Sequence, residues 1–144
     1  MIEELHKFLS HSPEQTLEFG RTIAKSLKPG NVVCLHGDIG SGKTHLVKGI
    51  ASFFGIDEHE VQSPTFTIIN EYEGGSIPVY HFDFYRINTP EEATRLGIDE
   101  YFYGEGICLI EWPSKINPYI PEHPINIRLK HRSDTIREIL VYIE

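Results

Sequence analysis

Two stretches of unbroken apolar character stand out along the chain, Val32-Val33-Cys34-Leu35 and Ile107-Cys108-Leu109-Ile110. Apolar runs of that length suit strands covered on both faces, as in a parallel sheet flanked by helices. Elsewhere the pattern alternates. Ile125, Ile127 and Leu129 alternate with polar residues, as do Ile139, Val141 and Ile143. With His131-Arg132-Ser133-Asp134 between them, these runs predict a closing antiparallel hairpin. Thr67 to Tyr72 and Ile77 to Phe82 predict a second hairpin that turns at Gly74-Gly75. Pro78 belongs at an edge or entry position there. Leu5, Phe8 and Leu9 predict a short edge strand.

Helical spacing appears between these runs. Leu46, Val47, Ile50, Ala51 and Phe54 share a helical period, and Gly55 supplies the stop. Ser12-Pro13-Glu14-Gln15 reads as a helix start with Ser12 as N-cap, Pro13 at the first position and Gln15 closing a capping box. Leu17, Gly20, Ala24 and Leu27 form one face of that helix, which Lys28-Pro29-Gly30 ends. Thr89-Pro90-Glu91-Glu92 repeats the capping pattern and predicts a helix to about Arg95, with Gly97 breaking it and a further turn over Asp99 to Tyr103. Asp57-Glu58-His59-Glu60 reads as a solvated loop. With no internal repeat or interdomain linker, residues 1–144 are expected to form one domain.

Composition narrows the function classes. Lys and Arg number 13 against 21 Asp and Glu, a balance that argues against a broad electrostatic footprint for nucleic acid or anionic lipid. It does not forbid RNA held mainly by a partner. Cys34 and Cys108 both lie in apolar runs without a C-x-x-C spacing, so they read as buried thiols rather than metal or redox groups. The start Met1-Ile2-Glu3-Glu4 has no signal-peptide character, and no apolar run approaches a membrane span. A reducing, cytoplasmic setting is expected.

The candidate chemistry lies between the first buried run and the helix after it. Gly37-Asp38-Ile39-Gly40-Ser41-Gly42-Lys43-Thr44 matches the phosphate-cradling pattern G-x-x-x-x-G-K-[ST] in its strand–loop–helix setting. The glycines allow a tight turn whose N–H groups approach phosphate oxygens, and the following helix adds the positive end of its dipole. Lys43 is placed to reach the β- and γ-phosphates, and the Thr44 hydroxyl can ligate magnesium. The bland alternative is a glycine-rich turn carrying a chance Gly-Lys-Thr.

A phosphate loop works with an acid at the end of a neighbouring strand, which positions magnesium directly or through water. Glu111 ends the second buried run and Asp83 ends Val79-Tyr80-His81-Phe82. His81 and Asp83 share one face of a strand, so a transition-metal site is conceivable, but no third ligand follows at a telling spacing. Trp112 reads as packing or as a neighbour of the nucleotide. Arg86 reads as a phosphate or carboxylate partner, or as a surface ion pair. Thr65 lies where nucleotide switches sense the γ-phosphate, although a plain Ser-Pro turn explains it too.

The ordered set of Gly37–Thr44, Ser63-Pro64-Thr65-Phe66-Thr67, Asn70-Glu71-Tyr72, His81-Phe82-Asp83-Phe84-Tyr85-Arg86 and Ile110-Glu111-Trp112 resembles the TsaE family. These are small bacterial P-loop ATPases required for the threonylcarbamoyladenosine modification of tRNA. The resemblance covers nearly the whole chain. It implies an α/β, P-loop NTPase-like fold, a mostly parallel sheet flanked by helices with an antiparallel extension. It further implies Mg-ATP binding with slow intrinsic hydrolysis, supporting threonylcarbamoyl transfer to adenosine 37 of tRNA through TsaD and TsaB, so that tRNA is met only indirectly.

By this resemblance Asp38, Ile39, Gly40, Ser41, Gly42, Lys43 and Thr44 hold the nucleotide, and Thr44 and Glu111 hold magnesium. Thr65 marks a switch-like loop and Asp83 assists hydrolysis. The adenine side is expected near Ser10 to Ser12 and Arg132. Family members often carry a second small hydroxyl residue after the loop threonine, where this chain has His45. A change in local packing is expected there, with nucleotide binding kept.

A small-molecule kinase is the alternative enzyme, but between Thr44 and Arg86 the only basic residue is Lys48, too few for a lid that covers a transferring phosphoryl group. A GTP switch lacks the Asn-Lys-x-Asp run that reads guanine. A nucleotide-regulated binding module, with hydrolysis incidental, overlaps with the family reading. The sequence shows no clear basic finger for the γ-phosphate, so slow hydrolysis with activation from outside is expected.

Overall fold

The computed structural model describes residues 2–38 and 40–144. Seven strands form one sheet: β1 (Glu3–Ser10), β2 (Val32–His36), β3 (Ile69–Tyr72), β4 (Val79–Asp83), β5 (Ile107–Glu111), β6 (Ile125–His131) and β7 (Arg137–Ile143). Their spatial order is β1-β7-β6-β2-β5-β4-β3. The central pairings β6–β2, β2–β5 and β5–β4 are parallel. Both edges are antiparallel, β4–β3 on one side and β6–β7–β1 on the other. The parallel part is therefore central, and the antiparallel part is larger than a single extension. Among the described residues the α-helices are α1 (Pro13–Ala24), α2 (Lys43–Phe53), α3 (Pro90–Thr94) and α4 (Ile98–Phe102).

The apolar runs explain which strands are central. Along β2, Val33 and Leu35 enter one core with Ile23 of α1 and Leu46 and Ile50 of α2, while Val32 and Cys34 enter a second. That second core holds Ala93 of α3, Ile98 and Phe102 of α4, and Ile110 of β5. A strand covered on both faces has no polar side to present, which is why these runs do not alternate.

Where α1 crosses α2, Gly20 and Gly49 meet. A Cβ on Gly49 would lie 1.9 Å from the Leu17 carbonyl oxygen. The inward face of α1 is Thr16, Phe19, Gly20, Ile23 and Ala24, whereas Leu17 is only half-buried. Leu27, just past the helix, is buried in the same core.

Caps and breaks follow the sequence with local shifts. Ser12 accepts from the Gln15 N–H at 3.1 Å, but Gln15 returns its bond to the His11 N–H, one residue further back than the box predicts. Thr89 makes no side-chain cap, and Glu92 accepts from the Asn88 N–H instead. The third strand starts at Ile69 rather than Thr67 because Ile68 sits at φ 69°, a left-handed conformation unusual for a β-branched residue. Its N–H donates to the Pro64 carbonyl and its own carbonyl accepts from the Asp83 N–H. Over the acidic segment, Glu58–Glu60 forms a single 3₁₀ turn capped by Asp57.

Candidate functional site

β2 delivers the chain to the Gly37–Thr44 loop at the carboxyl end of the parallel strands, and α2 leaves it directly at Lys43. Gly42 is the N-cap of α2 at φ 104°, a backbone conformation that any side chain would strain. Lys43 is buried. Its Nζ donates to the Gly37 carbonyl at 2.6 Å, lies 3.6 Å from Glu111 Oε1 and sits 4.8 Å from the centre of the Trp112 ring. The amine is thus folded back into its own loop.

The two acids arrive together because β4 and β5 are parallel neighbours in register. Asp83 pairs directly with Glu111 at the strand ends, and the two are 4% and 5% exposed. Asp83 Oδ2 accepts from Thr65 Oγ1 at 3.0 Å and Oδ1 from the Tyr85 N–H at 2.9 Å. Glu111 Oε2 is 2.6 Å from His81 Nε2.

Thr65 is held from both sides, since its hydroxyl also meets Ser63 Oγ at 2.8 Å. Asn70 and Tyr72 pin the base of this loop. Asn70 Nδ2 donates to the Gln62 carbonyl, Thr67 Oγ1 donates to Asn70 Oδ1, and the Tyr72 hydroxyl donates to the Gln62 carbonyl. The Ser63–Thr67 motif thus meets the Asp83 carboxylate through Thr65, while Asn70 and Tyr72 hold the base of its loop at Gln62.

These groups open onto a cleft of about 710 Å³ whose walls include Lys43, Thr44, Thr65, Asp83, Glu111 and Trp112. Its donors are hydroxyl and carboxylate oxygens, the hard set that magnesium prefers. Magnesium needs only one or two carboxylates beside phosphate and water. The described residues hold no group of three or more His, Cys, Asp or Glu able to take a metal by themselves. The residues present fit magnesium shared with a phosphate, and His81 is bonded to Glu111 rather than completing a transition-metal site.

The remaining expected residues divide. Gly40, Gly42 and Ser12 line the cleft. Asp38 and Ser41 line a separate cleft of about 480 Å³. Ile39 lies outside the described residues. Ser10 is fully buried and bonds the Ser12 carbonyl and the Thr16 hydroxyl, so it shapes the start of α1 without facing the cleft. Arg132 is turned to Glu138, whose carboxyl it holds below the usual carboxylate range through their hydrogen bond. It is absent from the cleft walls. Arg86 stacks on exposed Phe66 at 4.2 Å and makes no ion pair with a carboxylate among the described residues.

Sequence reasoning missed the arginine that lines the cleft. Arg137 Nη2 donates to the Gly40 carbonyl at 3.3 Å, and His131 Nε2 lies 2.8 Å from the same oxygen. The two residues are cross-strand partners at the mouth of the closing hairpin. Pairing Leu129 with Ile139 on the alternating runs sets His131 opposite Arg137 and leaves Arg132 in the turn.

The outer description of this chain comes from its relatives. A family model described as threonylcarbamoyl adenosine biosynthesis protein TsaE matches residues 10–139. The chain belongs to the TsaE family. The match spans all five sequence motifs, four of which line the cleft. A Bacillus subtilis (strain 168) tRNA threonylcarbamoyladenosine biosynthesis protein TsaE is 44% identical over 133 residues, 92% of this chain and 82% of the relative. The protein of that name from Treponema pallidum (strain Nichols) is 39% identical, covering 92% of this chain and 97% of its own length. The crystal structure of YdiB from Bacillus subtilis superposes with a TM-score of 0.82 at 38% identity, over 99% of this chain and 87% of that one. Membership of the TsaE family gives the chain a role in tRNA threonylcarbamoyladenosine biosynthesis. Among the described residues no helix is long and apolar enough to cross a membrane.

Proposed function

We propose that this chain is a P-loop ATPase that binds and slowly hydrolyses Mg-ATP, and that it supports threonylcarbamoyl transfer to adenosine 37 of tRNA through a cytoplasmic complex with TsaD and TsaB. The observation that carries the reading is the placement of Lys43, Asp83 and Glu111 within one cleft beside the glycine-rich loop. A buried lysine and two adjacent buried carboxylates are costly to hold without a ligand that uses both signs of charge.

In this reading the loop N–H groups and Lys43 hold the phosphates, with Lys43 exchanging the Gly37 carbonyl for phosphate oxygen. Thr44 and Glu111 would hold magnesium, which supplies charge neutralisation along the phosphate chain when bound. Asp83 orients the attacking water, and the Thr65 loop reports the state of the γ-phosphate through its bond to Asp83. Ser12 and the hairpin turn residue Thr135 also line the cleft, and the nucleoside is expected beside them. Residues 1–144 act as one ATPase domain, and tRNA is met only through the partners.

The deciding experiment measures ATP turnover by the chain alone and with TsaB and TsaD. The expected result is slow turnover that the partners raise severalfold or more. Phosphate transfer from ATP to a small-molecule acceptor, or full turnover without partners, would refute it.

A further inference from the structure

Glu111 offers two oxygens, and the structure treats them differently. Oε1 faces Lys43 Nζ at 3.6 Å, beyond hydrogen-bond distance, while Oε2 is 2.6 Å from His81 Nε2. A carboxylate only accepts, so His81 Nε2 carries the hydrogen and donates it. His81 has no exposure at all, and its Nδ1 has no hydrogen-bond partner among the described residues. The bond to Glu111 is therefore the ring's one polar commitment.

The backbone explains the meeting. His81 is register partner to Leu109, and Glu111 follows two residues along β5 on the same face. Leu109 and Tyr72, which flank the ring, belong to the apolar core shared with α2. A hydrocarbon side chain would fill that position at lower desolvation cost.

We infer that His81 is a positioning residue for the metal-side carboxylate: by occupying Oε2 it directs Oε1 of Glu111 at the cleft and keeps the carboxylate from closing on Lys43. The inference rests on the proposed magnesium role of Glu111. A freely rotating Glu111 would reach Lys43 with either oxygen and form a tight buried ion pair, withdrawing both the lysine from phosphate and the carboxylate from metal. Outer partners of this kind typically change metal affinity by about 10–100-fold when removed.

The test uses the full chain and reads the factor by which Mg²⁺ tightens binding of a non-hydrolysable ATP analogue, by calorimetry with Mg²⁺ and with chelator. H81Q keeps a donor at the Nε2 position, whereas H81N is too short to reach and H81F fills the core with no donor. Thermal unfolding establishes which loss variants fold, and either one decides the matter. H81N or H81F is expected to lower the Mg²⁺ factor by about tenfold or more, with H81Q within about threefold of the natural chain.

In an E111Q background the loss variants should change the factor less than about twofold, because no carboxylate remains to be positioned. Emission from Trp112, the only tryptophan, should shift in the nucleotide-free H81N or H81F protein but not in H81Q. If E111Q loses the Mg²⁺ factor and the His81 variants keep it, the positioning role is wrong and the metal role of Glu111 stands. If E111Q itself keeps the factor, the metal role fails and the inference falls with it.

Discussion

Asp83→Asn separates the charge of Asp83 from its work as a clamp. The carboxylate accepts from Thr65 Oγ1 at 3.0 Å and from the Tyr85 N–H at 2.9 Å. An asparagine with its carbonyl toward Tyr85 keeps that bond and turns its NH₂ toward Thr65. The threonine hydroxyl then accepts and passes its own hydrogen to Ser63 Oγ, 2.8 Å away. Both contacts survive as neutral bonds, each weaker than its charge-assisted form by roughly 1 kcal/mol.

A combined loss of about 2 kcal/mol lowers the melting temperature by roughly 4–10 °C for a chain of this size. Asp83→Ala leaves the Tyr85 N–H and the Thr65 hydroxyl without their acceptor, at about 1–3 kcal/mol for each group, so it releases the loop as well. If Asp83 orients the attacking water, Asn should reduce single-turnover hydrolysis in the TsaB–TsaD complex by about 10²–10⁴-fold, with ATP affinity changed less than about threefold. Calorimetry and quench-flow on the same preparation make the comparison. Full hydrolysis by Asp83→Asn would show that Asp83 is a clamp alone. Parallel loss of binding and hydrolysis would place its effect in loop order.

Lys43→Ala removes a charge-assisted contact worth roughly 1.5–3 kcal/mol, so ATP affinity should fall about tenfold or more while the fold is retained. Unchanged affinity by calorimetry would overturn the assignment. Gly49→Ala drives a methyl to 1.9 Å from the Leu17 carbonyl oxygen. The resulting overpacking should cost about 1–3 kcal/mol or more, and a melting curve that does not move would contradict the α1–α2 crossing. Burial pushes the thiols of Cys34 and Cys108 up from 9.0 to about 12. The unfolded thiols ionise near their ordinary value, so this stability is full below about pH 9 and is lost as pH rises toward 12. Replacing both cysteines by alanine should flatten that part of the pH profile in denaturant unfolding, and an unchanged slope would refute it. Thr65→Ala should lose most of the partner-dependent acceleration of hydrolysis while sparing much of the basal rate. A variant that responds fully to TsaB and TsaD would reject the switch role.

The central sheet was legible because both apolar runs must be covered twice, and such strands have few other places to go. Register supplied what periodicity could not. Asp83 and Glu111 are 28 positions apart in sequence, and only the in-phase pairing of β4 with β5 makes them neighbours. The same limit hides where Arg132 and Arg137 sit. Four residues, His131 to Asp134, separate the alternating runs, but the ladder extends through His131–Arg137, so the arginine on the strand, not the one in the turn, meets the loop. Ser10 is hidden for a different reason. A small hydroxyl before a helix serves equally as a ligand contact or as an internal partner, and Thr16 one turn into α1 claims it. The break before β3 was invisible because a β-branched residue at positive φ contradicts local propensity, and three hydrogen bonds around Ile68 and Thr65 hold it there.

The basic side chains around the cleft bear on the expectation of outside activation. Arg137 lines the cleft, yet its Nη1 contacts the Ser133, Asp134 and Ile136 carbonyls and its Nη2 the Gly40 carbonyl. A guanidinium so engaged braces the hairpin against the glycine-rich loop, and swinging to a phosphate would strip four carbonyl contacts. His131 serves the same Gly40 oxygen, and Arg86 is stacked on Phe66. Lys43 is the cation beside Glu111, and in the proposed reading it is already committed to the bound phosphates. Each cation described near the cleft thus has an assignment other than transition-state charge, whose stabilisation by a supplied arginine is worth about 10³–10⁵ in rate elsewhere. The Thr65 loop offers the place to apply that help from outside. It is exposed at Phe66, strained at Ile68 and bonded to Asp83 through one hydroxyl. In the proposed reading a partner that presses on Phe66 would move the acid without touching the nucleotide, and slow turnover by the chain alone is the expected consequence.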